Sequence, residues 1–306
     1  MCRQARNDVY LGCMDLATSI KQTTSLPGAV EFSRMELMSG SAYHGHKDVL
    51  STSMLKDLLV SPAHFMSALM AKRSSKQMDV GTVMHMLVLE PHTASSVVAI
   101  YPGPMNNADG RSFSKLNPGR ICMSMQEYLQ LTQGAELVLD SVFRGRKFHK
   151  YVEEGLVEPS IFYIDTNTGL SCRTRPDLHH PDFTFDLKTT RHLSLASFQN
   201  DAVARHYDMQ AYMYSLARCI FEGTSKPKEF VFVPVESGAP FSTAFRPASV
   251  SFLENGKAKY EAALALYKAC MTTDYWPAPT GESEMDILPW QQYKSNAQVF
   301  LGATGA

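Results

Sequence analysis

The stretch Arg173-Thr174-Arg175-Pro176-Asp177, followed by Asp186-Leu187-Lys188, constrains this chain more than any other. Leu170, Cys172 and Thr174 alternate with Ser171, Arg173 and Arg175. After the turn-forming His179-His180-Pro181-Asp182, Phe183, Phe185 and Leu187 alternate with Thr184, Asp186 and Lys188. A period of two is the signature of a strand with one apolar and one polar face. Upstream, Ile161 to Ile164 reads as a strand buried on both sides, and Asp165-Thr166-Asn167-Thr168-Gly169 supplies hairpin chemistry. The expectation is an antiparallel meander. It puts Asp186 and Lys188 on one face, and Asp177, ending the preceding strand, can face them. Two hard carboxylates at this density suit Mg²⁺ or Mn²⁺ rather than zinc. A lysine beside them can hold a water or stabilise phosphoryl charge. A salt bridge across a hairpin accounts for the same three residues.

The flanking segments predict the rest of the fold. Ser51-Thr52-Ser53 before Met54, Leu55, Leu58 and Leu59 is a hydroxyl cap on an amphipathic helix, and Ser61-Pro62 starts another. Gly81 to Glu90 is an apolar helix that stops before Pro91; His85 in its middle reads as a core histidine or a ligand. Residues 102 to 120 are rich in Pro, Gly and Asn and read as a long basic loop carrying Arg111, Lys115 and Arg120. Met125 to about Val152 reads as helix. Its last part, Arg144 to Lys150, is the densest basic run, a solvated face or a phosphate-contacting patch. Leu193 to Phe221 follows as one helix closed by Gly223, then a buried strand at Phe230 to Val235 and a helix from Phe252 to Met271. Gln210 and Tyr214 share a face of the Leu193 helix, with Tyr207 one turn earlier. Helix, meander, helix, strand, helix is a mixed α/β core.

Composition narrows the class. The chain has 306 residues and a net charge of −1, which argues against a broad polyanion binder but allows a locally basic groove. The six cysteines form no C-x-x-C pair, so neither a zinc ribbon nor a clustered iron–sulfur site is indicated. No apolar run approaches the roughly 20 residues of a bilayer span, and the N-terminus lacks a secretory core. The expectation is a cytoplasmic protein with a partly ordered leader over 1–45 and one domain over 46–306.

R-x-R-P-D…D-x-K followed by a helix with Q-x-x-x-Y resembles the PD-(D/E)-x-K nuclease superfamily, and more narrowly the RecE-type exonucleases (exodeoxyribonuclease VIII), relatives of lambda exonuclease and the RecB nuclease domain. The resemblance runs through Ser51 to Leu55, Ser61 to Phe65, Gly81 to His85, Leu89 to Pro91, Glu158 to Ser160, Thr168 to Leu170, Cys172 to Asp177, Asp186 to Thr190 and Gln210 to Tyr214. It departs from the family pattern at 102–124. It implies a restriction-endonuclease-like fold, a central mixed sheet with an antiparallel meander flanked by helices. It implies Mg²⁺, or Mn²⁺ in its place, held by His85, Asp177, Asp186 and the Leu187 carbonyl. Lys188, Glu158, Gln210 and Tyr214 would serve catalysis, and Ser53, Lys72, Arg73, Arg111, Arg173 and Arg175 would contact DNA. The implied activity is 5′-to-3′ digestion of duplex DNA to mononucleotides, leaving 3′ single strands for recombination or repair by strand annealing. The implied assembly is a ring of three or four copies in a bacterial or phage setting, beside a RecT-like annealing protein. A helicase-linked or CRISPR-adaptation type nuclease and a non-catalytic DNA-end-binding ring are the competing readings.

Overall fold

A computed structural model describes residues 33–70, 76–191 and 193–279. Strand β1 (Ser33–Glu36) and helix α1 (Gly40–Gly45) lead into β2 (Leu50–Ser51), α2 (Thr52–Val60), α3 (Pro62–Met70) and α4 (Lys76–Leu89). The short helix α5 (Ala94–Val97) precedes β3 (Val98–Tyr101), α6 (Ala108–Leu116), β4 (Ile121–Ser124) and α7 (Met125–Asp140). The hairpin of β5 (Val142–Phe143) and β6 (Arg146–Lys147) comes next, then α8 (Phe148–Glu154) and β7 (Leu156–Val157). Strands β8 (Ser160–Ile164), β9 (Ser171–Thr174), β10 (Leu178–His179) and β11 (Phe183–Thr190) follow. Helices α9 (Leu195–Ala204) and α10 (Tyr207–Glu222), strands β12 (Glu229–Glu236) and β13 (Arg246–Pro247), and helix α11 (Val250–Thr273) complete the order.

The mixed α/β class holds, but the expected meander divides between two sheets. One runs β1-β8-β9-β2 and the other β13-β12-β11-β10-β7. Strands β8 and β9 pair antiparallel, with Phe162 opposite Arg173. Strand β11 takes the short β10 as its antiparallel partner, with Leu178 opposite Phe185, and β12 as its parallel partner, with Asp186 opposite Phe232. The chain leaves the first sheet after Thr174 and enters the second at Leu178. Pro176 stands at the break because it has no N–H with which to continue a ladder. Asp177 is therefore at a crossing between sheets, not at the end of a hairpin strand.

Three other expectations change. The loop expected over 102–120 contains α6, which Asn107 caps by accepting the Gly110 N–H at 2.7 Å. Its faces are mostly polar, so no apolar period announced it. The helix expected over Leu193–Phe221 breaks at Arg205-His206, where His206 has φ +54°. The helix expected to reach Val152 ends at Asp140, and Arg144 (φ +47°) and Gly145 (φ +78°) turn a hairpin. The basic run there is matched by carboxylates: Arg144 with Glu229, Arg146 with Glu154, Lys147 with Asp140 and Lys150 with Glu153. That pattern is a solvated, paired face. Of the leader, residues 33–45 join the fold: β1 pairs with β8, and Tyr43 on α1 is buried.

The alternation in β11 decides which side carries chemistry. Phe185 and Leu187, with Val231, Val233 and Val235 of β12, pack against Val83, Met84 and Leu87 of α4 and Leu131, Ala135 and Val138 of α7. Each buried side chain of this size is worth about 1.5–3 kcal/mol relative to exposure. Asp186 faces the other way, towards α10. That helix covers parts of both sheets: Ala211 packs with Phe230 and Phe232, while Met209, Met213 and Ala217 meet Ile161, Tyr163 and Cys172. Buried Arg218 ties α10 to the start of β11, donating to the Phe183 carbonyl at 2.7 Å, the Pro181 carbonyl at 2.9 Å and the Thr184 hydroxyl at 3.1 Å. At the other end of α10, Gly256 of α11 lies against the backbone of Asp208. These ties hold Gln210 over Asp186.

Candidate active site

A cavity of about 330 Å³ lies where the two sheets meet. Its lining comes from α1 (Tyr43, His44), from the start of α2 (Ser51, Thr52, Ser53, Lys56), from Glu158, Arg175 and Asp177, and from α10 (Gln210, Tyr214). Ser51 caps α2, its hydroxyl accepting the Met54 N–H.

Asp186 is 1 % exposed. Gln210 Nε2 donates to its Oδ1 at 2.8 Å, and Lys188 Nζ contacts its Oδ2. Asp177 Oδ2 accepts the Leu187 N–H at 2.6 Å and lies 3.5 Å from His85 Nδ1. The structure thus joins His85, Asp177, Leu187, Asp186, Lys188 and Gln210 in one centre, reached from α4, the sheet crossing, β11 and α10. Burial pushes the Asp177 carboxyl up to about 6; Asp186 adds to the rise, while His85 and Lys188 oppose it. Burial alone would lower the Lys188 ammonium, but Asp186 and Asp177 more than offset that and hold it above its ordinary value. Tyr214 lines the cavity, its hydroxyl raised well above the usual phenol range by burial.

Glu158, expected to serve catalysis, is paired with Arg175 at the cavity wall. Arg175 Nε and Nη2 both donate to its Oε2, at 2.9 and 2.7 Å. Its N–H donates to the Asp177 carbonyl at 3.0 Å, and its φ is +47°. A non-glycine residue held there stores about 1–3 kcal/mol of strain, characteristic of functional sites. Among the expected DNA contacts, Ser53 and Arg175 line the cavity. Arg173 is 3 % exposed and stacks over the Tyr43 ring at 4.8 Å, so it lies behind the cavity wall. Arg111 is exposed on α6 and donates to the Asn106 carbonyl at 3.1 Å. Lys72 and Arg73 fall outside the described residues.

Lys56, which sequence reasoning passed over, belongs to the centre, and Tyr207, noted there only as a neighbour on the helix, joins it. Lys56 Nζ donates to Gln210 Oε1 at 2.9 Å. The Tyr207 ring carries Lys56 at 4.9 Å and Lys188 at 5.0 Å. Nothing in the local sequence marked Lys56, which stands in the middle of α2.

The donor set suits a divalent cation in chemistry. Asp186 is buried and Asp177 half-buried; both are oxygen donors of one sign, and the raised carboxyl of Asp177 marks a negative charge that the protein does not fully compensate. Among the described residues, no three of His, Cys, Asp and Glu already converge as a preformed metal cluster. Lys188 pairs with Asp186, and Arg175 pairs with Glu158.

An Asp at a sheet crossing, an Asp-x-Lys strand beside it and a glutamine donating from α10 are the arrangement that the sequence resemblance implied. The family described as "PDDEXK-like domain of unknown function (DUF3799)" matches residues 51–288, and the chain belongs to that family. Among solved structures, a "putative exonuclease" from Eubacterium rectale at 2.19 Å is similar over 80 % of this chain and 96 % of that chain, at 14 % identity and a TM-score of 0.48. No curated protein matches the chain. By the description of the matching family, the sequence resemblance holds at the level of the PD-(D/E)xK superfamily. Among the described residues, no helix is long and apolar enough to cross a membrane.

Proposed function

We propose that this protein is a metal-dependent exonuclease that digests duplex DNA from its 5′ ends, releasing mononucleotides and leaving 3′ single strands for recombination by strand annealing. The observation that carries the nuclease reading is the buried Asp186, held between Lys188 and Gln210 with Asp177 beside it. Mg²⁺, with Mn²⁺ able to replace it, would be held by Asp177, Asp186, His85 and the Leu187 carbonyl; bound there it supplies a Lewis acid and lowers the pKa of water.

The chain's own residues do the rest. Lys188, kept as ammonium by two carboxylates, donates a hydrogen bond to the attacking water or to a phosphoryl oxygen as charge develops. Gln210 fixes the orientation of Asp186. Tyr214, hydrogen-bonded to the Gln210 side chain at the cavity wall, keeps its proton at neutral pH. Ser53 and Arg175 meet the DNA backbone, and a phosphate displaces Glu158 from Arg175. The same reading includes a ring of three or four copies around the duplex and a RecT-like annealing partner.

Linear duplexes labelled separately at the 5′ and 3′ ends test the polarity. With Mg²⁺, the 5′ label is expected to leave first, as mononucleotide. First release of the 3′ label, or cutting of closed circles at an equal rate, would overturn the exonuclease polarity while leaving the nuclease centre intact.

A further inference from the structure

The side-chain amide of Gln210 is held at both ends. Its Nε2 donates to Asp186 Oδ1 at 2.8 Å and its Oε1 accepts from Lys56 Nζ at 2.9 Å. A carboxylate can only accept and an ammonium can only donate, so the two partners together fix which way round the amide sits. Tyr214 also hydrogen-bonds the Gln210 side chain, but a hydroxyl can donate or accept and so does not fix the direction of the amide.

Lys56 is expensive to keep where it is. Burial and the nearby Lys188 push its ammonium down to about 7, although Asp186 and Asp208 oppose the shift. A neutral donor would tie α2 to α10 without placing a second cation on the face of Tyr207 beside Lys188. Lys56 donates to the amide oxygen as ammonium or as amine, and that bond holds the oxygen away from Asp186 and keeps the N–H on the carboxylate.

We propose that Lys56 is a positioning residue of the centre, acting through Gln210 to hold Asp186 in its working orientation; this rests on the nuclease reading of the same site. Without Lys56 the amide rotates and presents Oε1 to the Asp186 carboxylate for part of the time. Removing a group that orients an active carboxylate lowers activity by roughly 10–100-fold. The loss falls on kcat, because Lys56 in this role orients a group and does not hold the substrate.

The test is a double-mutant cycle on the full chain. Wild type, Lys56→Met, Gln210→Ala and the double variant are assayed on linear duplex with Mg²⁺, and duplex binding is measured by fluorescence anisotropy with Ca²⁺ in place of Mg²⁺. Lys56→Met is expected to lower kcat roughly tenfold or more, with the anisotropy Kd within about twofold of wild type. In the Gln210→Ala background it is expected to cost nothing further, because its route to Asp186 is gone. Lys56→Arg, which keeps the charge, is expected to recover most of the rate. An additive loss in the double variant, or a loss seen only in Kd, overturns the proposal: Lys56 then acts on substrate directly. If Lys56→Met fails to fold, Lys56→Arg and Lys56→Gln carry the same comparison. Absence of digestion by wild type would refute the nuclease reading itself, and the four-way comparison separates that outcome from failure of the Lys56 inference.

Discussion

Arg175 closes Nε and Nη2 on a single oxygen of Glu158, at 2.9 and 2.7 Å, at the wall of the cavity that holds Asp177. A bidentate guanidinium is well matched to phosphate, and here a carboxylate of the same chain occupies it. Glu158 is thus an internal stand-in for a phosphate as much as a carboxylate near a metal. Its left-handed backbone conformation, with its N–H donated to the Asp177 carbonyl, keeps it at that post.

Replacing Glu158 by Gln should therefore free Arg175. Binding of a duplex end in Ca²⁺ is expected to tighten roughly threefold to tenfold at low salt, and the gain should shrink as salt rises. Turnover is expected to fall far less than in Asp186 variants. Fluorescence anisotropy of a labelled duplex reads the first effect; weaker binding by Glu158→Gln would mean that Glu158 serves a ligand and not Arg175.

With Asp177 as a proposed metal ligand, metal binding would depend on pH. Its folded pKa is raised by burial from 3.8 to about 6, so the folded metal-free chain holds a proton there that the unfolded chain has released. That contribution to stability is present below about pH 4 and is lost as pH rises through about 6. A divalent cation competes with the same proton, so the rise in melting temperature on adding Mn²⁺ is expected to be larger at about pH 7.5 than at about pH 5.5. Asp177→Asn should erase the difference. A shift that is equal at both pH values, measured by differential scanning fluorimetry, would show that Asp177 takes no part.

His179 works with the opposite sign. Burial, and then Arg218, hold its imidazole down from 6.5 to about 3. Glu222 Oε1 lies 3.5 Å away and favours the charged form, but it already accepts Arg218 Nε at 2.7 Å, so the neutral ring prevails. The unfolded chain takes up a proton below about pH 6.5 and the folded chain does not. Stability is full above that pH and is lost as pH falls towards about 3, by up to a few kcal/mol. Urea unfolding of His179→Gln between about pH 4 and pH 7 should show a shallower decline than wild type; parallel curves would place the acid sensitivity elsewhere.

Gly256 tests the packing that holds α10 in place. A Cβ there would run into the Asp208 carbonyl and the Met209 nitrogen. Gly256→Ala is expected to destabilise the protein by about 3 kcal/mol despite alanine's better helix propensity. A melting temperature at or above that of wild type would show that α10 and α11 can separate freely at this crossing.

The parts of the centre that were legible in the sequence are those governed by local period. Alternation along β11 put Asp186 and Lys188 on one face and Phe185 and Leu187 on the other, as found, and the spacing of Gln210 and Tyr214 put both on the cavity side of α10. The exchange of sheets at Pro176 was not legible, because strand partners are chosen by distant packing and β9 and β11 each look like half of a hairpin. Helix α6 was hidden by its polar composition. Lys56 lies 154 residues from Gln210 in sequence, and no local pattern couples them. Glu158 looked like any carboxylate until Arg175 was seen closed on it.

The proposed metal-dependent nuclease activity depends on Asp186, held by Lys188 and Gln210. The most direct measurement is release of mononucleotides from linear duplex DNA by wild type and by Asp186→Asn, with Mg²⁺ and with EDTA, at matched melting temperature. The account predicts digestion by wild type with Mg²⁺ alone, and a loss of at least about a thousandfold in Asp186→Asn. Digestion by Asp186→Asn at the wild-type rate, or by wild type in EDTA, would contradict it.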